Sequence, residues 1–222
     1  MGRLLNYTLI LALPVVASFQ SKPPVRYLPL GDSYTICTGA LEQESWPRLL
    51  TEHLNNSKIR CSLLNNPARN GFSTQDLIEN ELPLLKKLKP DFVTLLIGVN
   101  DWVRQVPKEE FERNLKHILD DLQKSLPDKR QILLITIPDF GVTPQGKNYG
   151  GGRDISKGIE EFNEIILREA TQRKLVCVDI FELSKGMGND RDLIAMDGLH
   201  PSAKEYAAWE RLILPEVVKL LK

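Results

Sequence analysis

The stretch Phe92-Val-Thr-Leu-Leu-Ile97, running straight into Gly98-Val-Asn-Asp101, decides the fold. Its first part is almost continuously apolar, too short for an ordinary helix, and closed by a glycine. A strand buried on both faces has that pattern, whereas a half-exposed strand alternates. Similar runs recur at residues 25–30, 59–64, 131–137 and 175–180. Helical patterns fill the intervals. Phe111, Leu115, Ile118, Leu119 and Leu122 repeat at spacings of three and four, as do Ile159, Phe162, Ile165 and Ile166. A last helix from about Ala203 carries Tyr206, Trp209, Leu212 and Ile213 on one side, and Pro215 is expected to bend or break it. Such alternation predicts an α/β fold, a five-stranded parallel sheet with helices on both faces. Ligands bind outside the carboxyl ends of such strands, so the chemistry should sit just after the apolar runs.

Bulk composition narrows the function classes. The 222 residues suit one domain with a substantial core, and 42% hydrophobic with 26% charged residues is the profile of a globular protein. Lys+Arg and Asp+Glu both number 29, and the basic residues are scattered, so nothing attracts a polyanion; nucleic-acid binding is not expected. At the N-terminus, Arg3 precedes an apolar run over residues 4–17, Val15-x-Ala17 resembles a cleavage site, and a proline-containing exit follows. That is the shape of a secretory signal peptide, too short to span a bilayer comfortably. Residues 1–21 are read as the targeting segment of an exported protein (a membrane anchor is the alternative), and 22–222 as the single working domain. Later stretches offer no transmembrane span. The cysteines, Cys37, Cys61 and Cys177, have neither the count of a disulfide framework nor zinc spacing. Packing is the expected role for Cys37 and Cys177.

Four blocks carry the chemistry. After the first strand stands Gly31-Asp-Ser-Tyr-Thr35, where a serine on a tight strand-to-helix turn lifts its hydroxyl above the sheet edge. The plain alternative is that Asp32 or Ser33 caps the next helix. Asn65-Asn-Pro-Ala-Arg-Asn-Gly71 after the second strand is either a loop or a source of a bare Gly71 N–H. In Gly98-Val-Asn-Asp101 the Asn100 amide can face developing negative charge, or Asn100 or Asp101 can cap a helix. Near the C-terminus comes Asp197-Gly-Leu-His-Pro-Ser202. His53 and His117 lie within helical patterns, but His200 sits in a loop three residues after a carboxylate. If that loop folds back, Asp197 accepts from one ring nitrogen and the other faces outward.

Serine, glycine, asparagine and histidine in this order, across nearly the whole chain, resemble the four family blocks of the SGNH (GDSL-like) hydrolases. Tyr34 departs from the leucine of the name-giving motif, which affects only the subfamily. The resemblance implies a flavodoxin-like three-layer α/β/α sandwich, with Ser33 as nucleophile, His200 as base then acid, and Asp197 as orienting carboxylate. It further implies an oxyanion hole of the Ser33 and Gly71 N–H groups with the Asn100 side chain. No metal or organic cofactor is implied.

The residues speak more faintly about substrate. Tyr34 and Trp102 are candidates for lining an acyl or sugar pocket, and Trp102 could equally pack under a helix. Residues 146–153 are glycine-rich and could act as a lid or as a plain connection. Residues 138–144 resemble a segment of lysophospholipase-like members, which favours acyl esters. Small acyl esters or lysophospholipid-like molecules are the expected substrates. A carbohydrate O-deacetylase or acyltransferase acting on an acetylated sugar is the alternative, and a non-catalytic binding module a more distant one.

Overall fold

A computed structural model describes residues 23–222. The expected targeting segment therefore lies outside the described residues. Five strands are present: β1 (Val25–Gly31), β2 (Cys61–Leu63), β3 (Phe92–Leu96), β4 (Ile132–Ile135) and β5 (Val176–Val178). They form one parallel sheet in the order β2-β1-β3-β4-β5. Each coincides with a run read from the sequence; β1 extends one residue beyond its run, to Gly31, and the other four are trimmed at one or both ends. The order is that of flavodoxin-like doubly wound sheets, in which β1 and β3 flank the point where the winding reverses.

Burial follows the apolar pattern. Every residue of β3 and β4 is buried, and so is β1 from Tyr27 onward, whereas the edge strands β2 and β5 are partly covered. Within this interior Tyr27 Oη lies 2.8 Å from Thr94 Oγ1, so the polar atoms of two central strands satisfy each other.

Nine α-helices are present among the described residues: α1 (Ser33–Ile36), α2 (Trp46–Asn56), α3 (Thr74–Asn80), α4 (Leu84–Leu88), α5 (Val99–Val103), α6 (Lys108–Ser125), α7 (Ile155–Arg173), α8 (Phe181–Ser184) and α9 (Ala203–Leu221). They cover both faces of the sheet; α2 packs on α9, and α6 packs against α3 and α7. The apolar positions of α6 and α7 read from the sequence are the buried ones. Pro215 does not break α9, which continues to Leu221. The proline deprives the Arg211 carbonyl of its helical N–H partner. Arg211 and Pro215 are on the exposed side while Ile213 and Val217 are buried. Water can serve that carbonyl, and the buried side chains hold the helix in place.

Candidate active site

The nucleophile candidate sits where β1 turns into α1. Gly31 has φ +152°, and a Cβ there would stand 2.1 Å from the Leu96 carbonyl oxygen on β3. Only glycine lets the chain leave the sheet so close to its neighbour. Asp32 then caps α1 by accepting from the Tyr34 N–H at 3.0 Å. The capping role seen as the plain alternative therefore belongs to Asp32, which frees Ser33 from it. Ser33 is the first residue of α1, and such a residue has no helical acceptor for its N–H. Among the described residues, no protein acceptor takes the N–H of Ser33 or of Gly71.

The histidine loop folds back on itself. Asp197 Oδ1 accepts from the backbone N–H groups of Leu199 and His200, each at 2.9 Å. Its Oδ2 stands 2.6 Å from His200 Nδ1. Ala195 N–H donates to the His200 carbonyl at 2.8 Å, and Ile194 bridges Pro201, which closes the turn. Partial burial pushes the Asp197 carboxyl up, but the His200 side chain and these two N–H donors outweigh it and hold the group below its ordinary range. With Nδ1–H given to Asp197, Nε2 is left as the acceptor. The Tyr34 ring meets the His200 ring edge-on at 5.9 Å and the Trp209 ring likewise, supporting the imidazole from below.

Asn100, on α5 just past β3, donates from Nδ2 to the Phe72 carbonyl at 2.9 Å. That uses one amide hydrogen and fixes the plane of the group, leaving the second hydrogen available. Gly98 rather than Asn100 or Asp101 is the N-cap of α5. Asp101 instead is buried and accepts from the Thr74 hydroxyl and N–H. The loop carrying Gly71 is tied down by Arg104, whose guanidinium donates to the Gly71 carbonyl at 2.7 Å and to Asp76 at 2.8 Å.

Ser33, Asn100 and His200 line one cleft of about 70 Å³, together with Tyr34, Phe140 and Tyr149. Gly71 and Trp102 are not among its lining residues. Trp102 takes the packing alternative: it is buried, edge-on to Phe140, with the Arg153 guanidinium 3.9 Å over its ring. Arg153 also donates to the carbonyls of Gly150, Trp102 and Val103. The glycine-rich segment is thus anchored at its end, and its Tyr149 reaches the cleft. Phe140 and Tyr149 belong to the segments 138–144 and 146–153, and their position after β4 is the signal the sequence offers for them. His53 stands 2.9 Å from Glu210 and His117 is exposed on α6, both away from the cleft. All three cysteines are free, Cys37 and Cys61 buried and Cys177 half-buried. Among the described residues, no cluster of His, Cys, Asp and Glu is arranged to hold a metal, and no helix is long and apolar enough to cross a membrane.

Comparison with known proteins identifies the family. Residues 30–208 match the model of the GDSL-like lipase/acylhydrolase family. Over 138 residues, 62% of this chain, the sequence is 32% identical to a multidomain esterase of Ruminococcus flavefaciens, of whose length the match spans only 17%. Over 202 residues it is 27% identical to esterase TesA of Pseudomonas aeruginosa, covering 90% of each chain. The fold also matches the crystal structure of a lipase/acylhydrolase from Enterococcus faecalis with a TM-score of 0.72, at 21% identity over 89% of this chain and 97% of the other. The chain belongs to the GDSL-like lipase/acylhydrolase family and, with it, to the carboxylic ester hydrolases.

Proposed function

We propose that this protein hydrolyses small acyl esters through a covalent acyl-enzyme on Ser33. One observation carries the reading: Ser33, Asn100 and His200 border a single cleft, with His200 locked to Asp197 through Nδ1. A serine hydroxyl attacks an ester only as a base removes its proton. His200 Nε2 takes that proton as Ser33 Oγ bonds to the carbonyl carbon, and Asp197 stabilises the resulting imidazolium. The charge that develops on the carbonyl oxygen is met by the Ser33 N–H and the free amide hydrogen of Asn100, with the Gly71 N–H, outside the cleft lining, as the further donor that the family resemblance implies. Collapse breaks the bond to the alkoxy oxygen, which leaves with the proton from His200. Water then repeats the sequence, releasing the carboxylic acid and restoring the serine.

The cleft size bears on the acyl group. A cleft of about 70 Å³ bordered by Tyr34, Phe140 and Tyr149 suits a short acyl chain. That same dimension favours a second reading, removal of acetyl groups from sugars or their transfer to another acceptor. The proposal takes residues 22–222 as the catalytic domain and 1–21 as an export signal, which N-terminal sequencing of the mature protein checks.

Labelling with a fluorophosphonate, followed by a ladder of p-nitrophenyl esters beside acetylated sugars and lysophospholipid, tests the mechanism. Labelling at Ser33, loss of turnover in Ser33→Ala with an unchanged circular dichroism spectrum, and highest rates on acetate to butyrate are expected. Wild-type protein that resists the probe, or a Ser33→Ala variant with comparable turnover, overturns the covalent mechanism. Product analysis with an added sugar acceptor separates transfer from hydrolysis.

A further inference from the structure

Beneath the nucleophile turn lies a group of buried acids that the proposed chemistry does not use. Glu81, just past α3, is fully buried, and its Oε2 accepts from the Gly31 N–H at 3.0 Å. Asp32, next in sequence and equally buried, accepts from the Tyr34 N–H through Oδ1. These two bonds hold both sides of the peptide corner that presents Ser33. Each carboxyl nevertheless has one oxygen, Glu81 Oε1 and Asp32 Oδ2, without a hydrogen-bond partner. A buried carboxylate with a bare oxygen is costly, and two near each other repel as well. A proton on an orphan oxygen removes the buried charge, the larger cost, and the repulsion with it.

We infer that Glu81 is a positioning residue for Ser33, bracing the Gly31 N–H while Glu81 and Asp32 together retain at least one proton at neutral pH. The groups facing them point the same way. Asp101 on α5 acts on Asp32 as a like charge, and the phenols of Tyr34 on α1 and Tyr206 on α9 feel Asp32 in turn. The Arg104 guanidinium bears on Asp101. Burial pushes Glu81 well above the carboxylate range, against the Gly31 hydrogen bond, and Asp32 raises it further. Loss of the retained proton places negative charge directly under the turn that must present Ser33, so the device couples the geometry of the nucleophile to alkaline pH.

The inference rests on Ser33 being the nucleophile, and the test separates the two ideas. Glu81→Gln keeps an acceptor for Gly31 and supplies a permanent amide donor in place of the acid proton. It is expected to hold kcat close to wild type while its alkaline limb of activity moves up or disappears. Glu81→Leu leaves the Gly31 N–H unpaired, and kcat on p-nitrophenyl acetate is expected to fall about ten- to a hundredfold with KM little changed, the scale of a misplaced reacting group. An infrared difference spectrum at neutral pH, wild type minus a variant carrying both Asp32→Asn and Glu81→Gln, should show the carbonyl band of a protonated carboxylic acid, whether or not either protein is active or the leucine variant folds. Wild-type kcat in a folded Glu81→Leu, an unmoved alkaline limb in Glu81→Gln, or a carboxylate-only difference spectrum overturns the inference. Failure of wild-type protein to take the fluorophosphonate instead strikes at Ser33 and leaves the infrared result standing.

Discussion

At the scale of single residues, Asn100 is held by a structural bond at the edge of the proposed site. Its bond to Phe72 O holds the amide plane and leaves one amide hydrogen unused, and the residue lines a cleft shared with Ser33 and His200. Removing one preorganised donor from such a site typically costs about 3–4 kcal/mol of barrier. Asn100→Ala should therefore lower kcat roughly a hundred- to a thousandfold with the ester still bound. Steady-state kinetics on a short p-nitrophenyl ester decide it, since near-normal turnover would remove Asn100 from its role. Ser33, Asn100, Asp197 and His200 were legible as candidates because each stands in a short block whose residue types suit one task. Glu81 was not legible. It lies in an ordinary polar stretch at the end of α3, and only its approach to Gly31 marks it out.

Elements meet where side-chain volume allows, and α5 and α7 do so through Trp102. A Cβ placed on Gly158 of α7 would come within 1.9 Å of the Trp102 indole nitrogen. The missing side chain is what lets the helix lie over the indole, with Phe140 and Arg153 closing the sides. Gly158→Ala adds a better helix former, worth about 1 kcal/mol on an open helix. Here overpacking should prevail, at about 1–3 kcal/mol. A fall in thermal midpoint is the expected outcome, and a rise would show that α7 moves aside freely. The sequence left Trp102 open between pocket wall and packing, because nothing local says which face of a short helix another helix will cover. Pro215 teaches the same lesson: the rule that proline interrupts a helix is local, and the flanking buried side chains of α9 override it.

For the molecule as a whole, the parallel sheet gathers the functional loops at one edge, together with several ionisable groups that burial has altered. Burial pushes Asp32 up to about 8, despite the Tyr34 N–H that favours its charged form and with Asp101 adding repulsion. An ordinary carboxyl titrates near 3.9. The folded protein thus keeps a proton that the unfolded chain gives up. This contribution to stability is intact below about pH 4 and diminishes as pH rises towards 8. Asp32→Asn should abolish that decline, so its thermal midpoint should gain on wild type from pH 4 to pH 8. A gap that stays constant across the range would mean that Asp32 does not hold the proton. By itself the sequence determined the five strands, their parallel arrangement and the blocks bearing serine, asparagine, aspartate and histidine, because apolar periodicity and turn chemistry are local. Only the tertiary structure decided which of these side chains share a cleft, how large that cleft is, that Trp102 belongs to the interior, and that Glu81 stands beneath Ser33. Those outcomes depend on contacts between segments far apart in the chain, which packing sets and no short stretch encodes.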